Sequence, residues 1–156
     1  MDKELGRSVI LVAVGGTALT LLSAKSSTID VDFALPSDDY DEFKKTLKIV
    51  PHGFEVHCFH DGMIFSQGLP DDYLRKTALV KTKMKNINLR TLSPLDIVVT
   101  KIGRLDDRDK QDIRACIDKF DLTKTQVSKR AKRVDYVGRE KNYQINLKYV
   151  VTNFFK

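Results

Sequence analysis

The sequence predicts an α/β (α+β) domain: a short mixed sheet flanked by helices, with a small helical C-terminal part. Three observations carry this. Val9 to Val14 is an unbroken run of small and β-branched apolar residues that stops at Gly15-Gly16, as a buried strand does at a turn. Ile29 to Leu35 and Phe54 to Phe59 alternate apolar and polar residues, the period of a half-buried strand. Segments opened by Ser37 and by Ser93-Pro94 carry helix-start chemistry followed by helical spacing.

The elements follow in order. After the first strand, Thr17 to Ala24 reads as a short helix with Thr17 as cap and Ala18, Leu19, Leu21 and Leu22 on the buried side. In the second strand Ile29, Val31 and Phe33 share one face, and Asp30 and Asp32 share the other. Pro36 ends it. Ser37, Tyr40, Phe43, Leu47 and Val50 then lie at helical spacing, with Asp38, Asp39, Asp41 and Glu42 at the favourable end of the dipole. Phe54 to Phe59 sets Phe54, Val56 and Cys58 against Glu55, His57 and Phe59. Asp61-Gly62 is a hairpin signal, with Met63 to Phe65 starting the return strand. Leu79 to Leu89 mixes basic and apolar residues as an edge strand pair does. Ser93 as cap, Pro94 at the first helical position and Asp96 in the first turn open a helix that reaches Gly103. A further helix, about Asp107 to Phe120, buries Ile113, Cys116, Ile117 and Phe120. Lys124 to Lys141 is basic and helical in character, with Lys124, Lys129, Arg130, Lys132, Arg133, Arg139 and Lys141 outnumbering Asp135 and Glu140. The apolar-rich segment Tyr143 to Phe155 is expected to dock back onto the body.

At 156 residues and 42% hydrophobic content the chain suits one domain with a real core. We expect residues 1–122 to form that domain and residues 123–156 a basic extension packed on it. No stretch approaches the roughly 18 apolar residues of a membrane span. MDKELGRS is charged and does not read as a secretory signal, so a cytoplasmic location and no membrane partner are expected. Cys58 and Cys116 lie far apart without a CxxC spacing, which argues against a disulfide framework or zinc knuckle. The three histidines, His52, His57 and His60, are not spaced for one metal centre. The net charge of +6 suits a nucleotide or nucleic-acid partner and equally an ordinary basic enzyme.

The chemistry concentrates between Val9 and Phe33. Asp30 and Asp32, two apart on a strand, place both carboxylates on one face about 6–7 Å apart along the chain. That suits Mg²⁺, or Mn²⁺, which takes carboxylate oxygens together with substrate phosphates. Gly15-Gly16 lets backbone N–H groups approach a phosphate, and the helix behind them adds its dipole. The chain has no GKS or GKT, so this is no Walker loop. Lone acidic pairs of this kind are often mere solvated strand residues. The glycine pair before this one, and a basic run far behind it, argue for a site.

The segment VGGTALTLLSAKSSTIDVDF resembles the signature of the DNA polymerase beta-like nucleotidyltransferase superfamily: a glycine pair, a spacer, then an acidic–apolar–acidic strand. With SPLDIVVTKIGRLDDRDKQDI it is similar to the stand-alone, AbiEii-like nucleotidyltransferase group, some of whose members act in toxin–antitoxin pairs. The resemblance covers Val9 to Phe33 and about Asn86 to Asp118. It implies the nucleotidyltransferase fold and Mg²⁺-dependent transfer of a nucleoside monophosphate from an NTP to an acceptor hydroxyl. It also implies site roles. Gly15, Gly16 and Thr17 would cradle the triphosphate, Asp30 and Asp32 would bind metal, and Lys101 would contact phosphate. Arg104, Arg108, Asp109 and Asp112 match the KxxR…RDxxD run, the two acids orienting the arginines. On spacing alone, Lys101, Arg104 and Arg108 share a helical face if the helix survives Gly103.

The superfamily's third carboxylate should stand on the Phe54 to Phe59 strand. Glu55 is the better acid, whereas the family's pattern falls nearest His57. Three readings stay open: Glu55 as the third acid, His57 as its replacement, or a degenerate site. The acceptor implied is tRNA or other RNA, or protein, and a cognate antitoxin or toxin is a candidate partner. A non-catalytic nucleotide- or partner-binding protein and a basic RNA-binding adaptor are the rival functions. The scarcity of aromatics in the basic stretch argues against single-strand stacking there.

Overall fold

The alternation of the first strand divides its side chains between two cores. Val9 and Leu11 join Leu5, Leu35, Phe43 and Ile87, while Val12 and Ala13 join the larger cluster on the opposite face. The computed structural model describes residues 1–138 and 140–155. Arg139, part of the basic stretch above, lies outside the described residues.

The elements run β1 (Val9–Ala13), α1 (Gly15–Leu21), β2 (Val31–Leu35), α2 (Ser37–Ile49), β3 (Val56–His60), β4 (Met63–Ile64), β5 (Gln67–Gly68), β6 (Ala78–Leu79), β7 (Ile87–Thr91), α3 (Pro94–Lys101), α4 (Asp107–Phe120), α5 (Lys124–Ala131), β8 (Asp135–Tyr136) and α6 (Glu140–Asn153). Among the described residues, five strands form a mixed sheet in the order β3-β2-β1-β7-β6. β1 runs antiparallel to β2 and parallel to β7, and β2 runs parallel to β3. A second small sheet orders β4-β5-β8. The α/β class and the mixed sheet flanked by helices are those the sequence predicts.

α2 closes one face of the sheet through Phe43. Its buried Asp39 accepts from Ile10 N at 2.8 Å and pairs with Arg7 at 2.5 Å, which ties the helix to the first strand. The other face carries α1, α3 and α4. α3 is buried almost all round: Ile97, Val98 and Val99 are fully enclosed. Its Ser93 cap accepts from Asp96 N as expected, at 3.1 Å. Its C-terminal carbonyls, which a helix cannot satisfy itself, are met by α6. Tyr143 donates to Val99 O at 2.9 Å, and Asn146 Nδ2 donates to Ile102 O at 2.8 Å. Tyr143, Leu147 and Val150 of α6 are buried in the main core, so the apolar tail docks as its composition suggested.

Several local expectations need correction. The second strand starts at Val31 rather than Ile29, because its parallel partner β3 begins pairing only at Val56; Ile29 is 81% exposed. β3 likewise covers Val56–His60 and not Phe54 to Phe59. The first helix begins at Gly15, and Thr17 is no cap. Asp61 and Gly62 do turn the chain with positive φ, but Met63 and Ile64 pair with β5 instead of returning along β3. The Leu79–Leu89 segment is two strands only at its ends, β6 being two residues long at the sheet edge. The basic stretch is one helix to Ala131 and then the short strand β8, not helix throughout.

Candidate functional site

Thr17 shapes the loop that presents the acids. Its hydroxyl accepts from Asp32 N at 2.9 Å and donates to Asp30 O at 3.3 Å, which ties α1 to the entrance of β2. The side chain expected to touch triphosphate is thus engaged with backbone. Thr28 donates to Asp30 O at 3.1 Å from the other side. Asp30 therefore sits on a braced bend just before the strand, and Asp32 on the strand itself.

Both glycines have a steric reason. Gly15 has φ of 53°, and a Cβ there would lie 3.3 Å from Asp32 Oδ2. A Cβ on Gly16 would meet Thr28 Oγ1 at 2.6 Å, inside contact distance. The close approach of the Thr28 loop thus demands Gly16, whatever binds in front of it.

Asp32 is buried, and its Oδ1 lies 2.9 Å from His57 Nδ1, the residue directly paired with it on β3. His57 Nε2 lies 3.0 Å from Glu55 Oε1. The hydrogen bond to Asp32, then that to Glu55, hold the imidazole charged to higher pH than an ordinary histidine. Glu55 is 70% exposed and reaches the site only through His57, whereas His57 lines the cavity itself. Among the described residues, Asp32 Oδ2 and the Asp30 carboxylate make no protein hydrogen bond or ion pair.

Lining the same cavity as these acids, of about 750 Å³, are Lys25, Lys101, Arg104 and Arg108. α3 ends at Lys101, so Arg104 and Arg108 do not continue its face; a turn at Gly103 and the start of α4 bring them to the same wall. Lys101 is buried and lies 2.9 Å from both Asp109 and Asp112. Arg104 makes two hydrogen bonds to Asp109, at 2.7 and 2.9 Å. Burial pushes the Asp109 carboxyl up, but the hydrogen bond from Arg104 and the charge of Lys101 outweigh it and hold it below the ordinary range. Lys25 reaches Asp112 at 3.1 Å, and Arg108 is exposed with no ion pair among the described residues. The acids of α4 therefore hold Lys25, Lys101 and Arg104; of the two arginines expected to be oriented by them, only Arg104 is.

Among the described residues, no group of three His, Cys, Asp or Glu side chains stands ready to hold a metal ion. Two carboxylates with unpartnered oxygens fit instead a hard cation that completes its shell with phosphate oxygens and water, as Mg²⁺ does.

A family model described as a nucleotidyltransferase of unknown function (DUF6036) matches residues 2–154. The chain belongs to that family. The match spans α6 as well as the glycine–aspartate region, so the C-terminal helices are part of the DUF6036 unit. Neither the curated proteins nor the solved structures contain a match to this nucleotidyltransferase-family chain. No described helix is long and apolar enough to cross a membrane.

Sequence reasoning brought together Gly15, Gly16, Asp30, Asp32, Lys101, Arg104 and Arg108, all of which line the one cavity. It missed Lys25, which sits in the spacer of the glycine–aspartate signature and is not one of its signature residues, and Phe65, which borders the cavity from the β4–β5 turn.

Proposed function

We propose that the chain transfers a nucleoside monophosphate from an NTP to an acceptor hydroxyl, with Mg²⁺ or Mn²⁺ held by Asp30 and Asp32. The observation that carries this reading is that two carboxylates with unpartnered oxygens and a set of lysine and arginine side chains line one cavity. Acids alone would repel a triphosphate, and bases alone would not hold a metal. Together they suit a metal-bound polyphosphate.

The metal, when bound, neutralises phosphate charge and polarises the reacting phosphorus. The chain's own residues do the rest by position. Gly15 and Gly16 let the Asp32 carboxylate and the Thr28 loop close against the start of α1, whose backbone borders the cavity. Exposed Arg108 and half-engaged Arg104 draw the outer phosphates, and Lys101, fixed by Asp109 and Asp112, supplies a charge that need not reorganise. The exposed Lys124, Lys129, Lys132 and Arg133 form a surface suited to an RNA acceptor such as tRNA; protein is the other acceptor class. Likeness to the AbiEii-like group adds a cognate antitoxin or toxin as partner.

A second reading has its own observation. His57 occupies the position on β3 where the superfamily's third carboxylate is expected, which favours a non-catalytic protein that binds nucleotide or a partner.

The test is incubation with each α-³²P-labelled NTP, Mg²⁺ or Mn²⁺, and total RNA or protein extract. Label transferred by the wild type and lost in the Asp30→Ala/Asp32→Ala variant supports the enzyme and names nucleotide and acceptor. Nucleotide binding without transfer, under every pairing, supports the second reading. RNA binding that is steeply salt-dependent and indifferent to Asp30→Ala would point to the adaptor function instead.

A further inference from the structure

We infer that the β4–β5 hairpin carries the nucleobase subsite, the base of the nucleotide entering a side cavity beside Gly103 and stacking on Phe65. This rests on the nucleotide-binding reading above. The side cavity, of about 220 Å³, meets the larger one at Gly15, Phe65, Lys101, Arg104 and Asp109. Charge is confined to that shared border. Beyond it the wall is neutral: Ile64, Gln67, Thr100, Gly103 and Tyr136. A polyphosphate has no reason to enter such a space, whereas a flat heteroaromatic ring with a polar edge does.

Phe65 itself is hard to explain otherwise. It belongs to neither hydrophobic core and is 54% exposed. Its φ of 54° is the left-handed conformation that a bulky residue adopts only at a cost. The ring is nevertheless braced: Phe59 lies 4.9 Å away, centroid to centroid, and the Arg104 guanidinium 5.6 Å above. An exposed aromatic braced by a cation and a second ring offers its open surface as a stacking platform, and Arg104 would join the base to the phosphates. The cavity wall is equally fixed. Gln67 is buried, and with its amide oriented to hydrogen-bond it donates to Thr100 O at 2.6 Å and Ile64 O at 3.3 Å. Any Cβ on Gly103 would collide with the Gln67 side chain, so glycine there lets Gln67 seat against the turn and fixes the cavity floor. The Ser66 and Tyr136 hydroxyls make no hydrogen bond among the described residues and remain for the edge of the base.

The test is calorimetric titration of the full chain with each of the four NTPs and with inorganic triphosphate, all with Mg²⁺. The wild type should bind at least one NTP more tightly than inorganic triphosphate. Phe65→Ala should weaken that NTP about tenfold or more and leave triphosphate unchanged, and Phe65→Tyr should retain the wild-type affinity. Equal wild-type affinity for NTP and triphosphate overturns the base subsite while leaving nucleotide binding intact. So does a Phe65→Ala variant that binds the NTP normally, or loses both ligands alike. If the wild type binds neither ligand, the nucleotide reading has failed and this inference falls with it.

Discussion

Asp32 and His57 are direct partners on the parallel strands β2 and β3, with Oδ1 of the carboxylate 2.9 Å from Nδ1 of the imidazole. The hydrogen bond leaves Oδ2 turned toward Gly15 and fixes the orientation of the carboxylate. Partners that orient a metal-holding group typically contribute 10–100-fold to metal affinity or activity. His57→Ala should lower nucleotidyl transfer, or Mn²⁺ affinity, by about that factor, and His57→Asn, which can still donate, should recover part of it. Unchanged Mn²⁺ titration curves in His57→Ala would exclude this role.

Asp30 allows function and stability to be separated. Its carboxylate has no protein partner among the described residues, so Asp30→Asn should change stability by less than about 0.5 kcal/mol. Loss of one of the two carboxylates proposed to hold the metal should nonetheless reduce transfer by about 100-fold or more. Denaturant melts and the labelled-transfer assay on the same preparation read the two effects.

Gly15→Ala should harm the site more than the fold. A side chain at φ of 53° costs about 1–2 kcal/mol, and the methyl would press on Asp32 Oδ2 at 3.3 Å. A melting temperature lowered by a few degrees with near-complete loss of nucleotide binding is the expected pair of results. Normal binding would show that Asp32 does not depend on this contact.

Arg130 is the clearest stability residue. It is 4% exposed and joins α5 to α3 by two hydrogen bonds to fully buried Asp96, at 2.5 and 3.0 Å, and by a third to Asp72. Arg130→Met would leave Asp96 buried and uncompensated, which costs about 3–5 kcal/mol. The double variant Arg130→Met/Asp96→Leu, removing both charges, should recover much of that in urea unfolding.

Asp109 sets an acid limit. Its folded carboxyl titrates below the ordinary value of 3.8, so it binds protons less readily folded than unfolded. Its contribution is therefore complete above about pH 4 and is lost as the pH falls through the lower folded value. Asp109→Asn, which leaves buried Lys101 with Asp112 alone, should cost about 3 kcal/mol at pH 7. The gap to wild type should close as unfolding is followed below pH 4; a gap constant with pH would refute the assignment.

Much of the fold was legible because it is written in neighbouring residues. The apolar run of β1, the Ser93-Pro94 start of α3 and the span of α4 depend on spacing and capping within a few positions, and the structure has them where the sequence indicates. The candidate acids and the basic run were legible for the same reason. Arg130 shows the limit: in sequence it is one of a string of cations, and only the approach of α5 to α3 makes it a buried tie. Phe65 reads as an ordinary hairpin residue until β5 takes β4 from β3.

The sequence by itself determined the α/β class, most helix and strand identities and which side chains could do chemistry, since periodicity and residue type are local properties. Tertiary structure alone decided where β2 and β3 begin, that Lys101 is shared between Asp109 and Asp112, that Lys25 reaches Asp112 across 87 positions, and that His57 holds Asp32. Those are pairings between separate elements, some neighbouring in the chain and some distant. Their energies arise only once both partners leave water together, so residue type and spacing do not fix them.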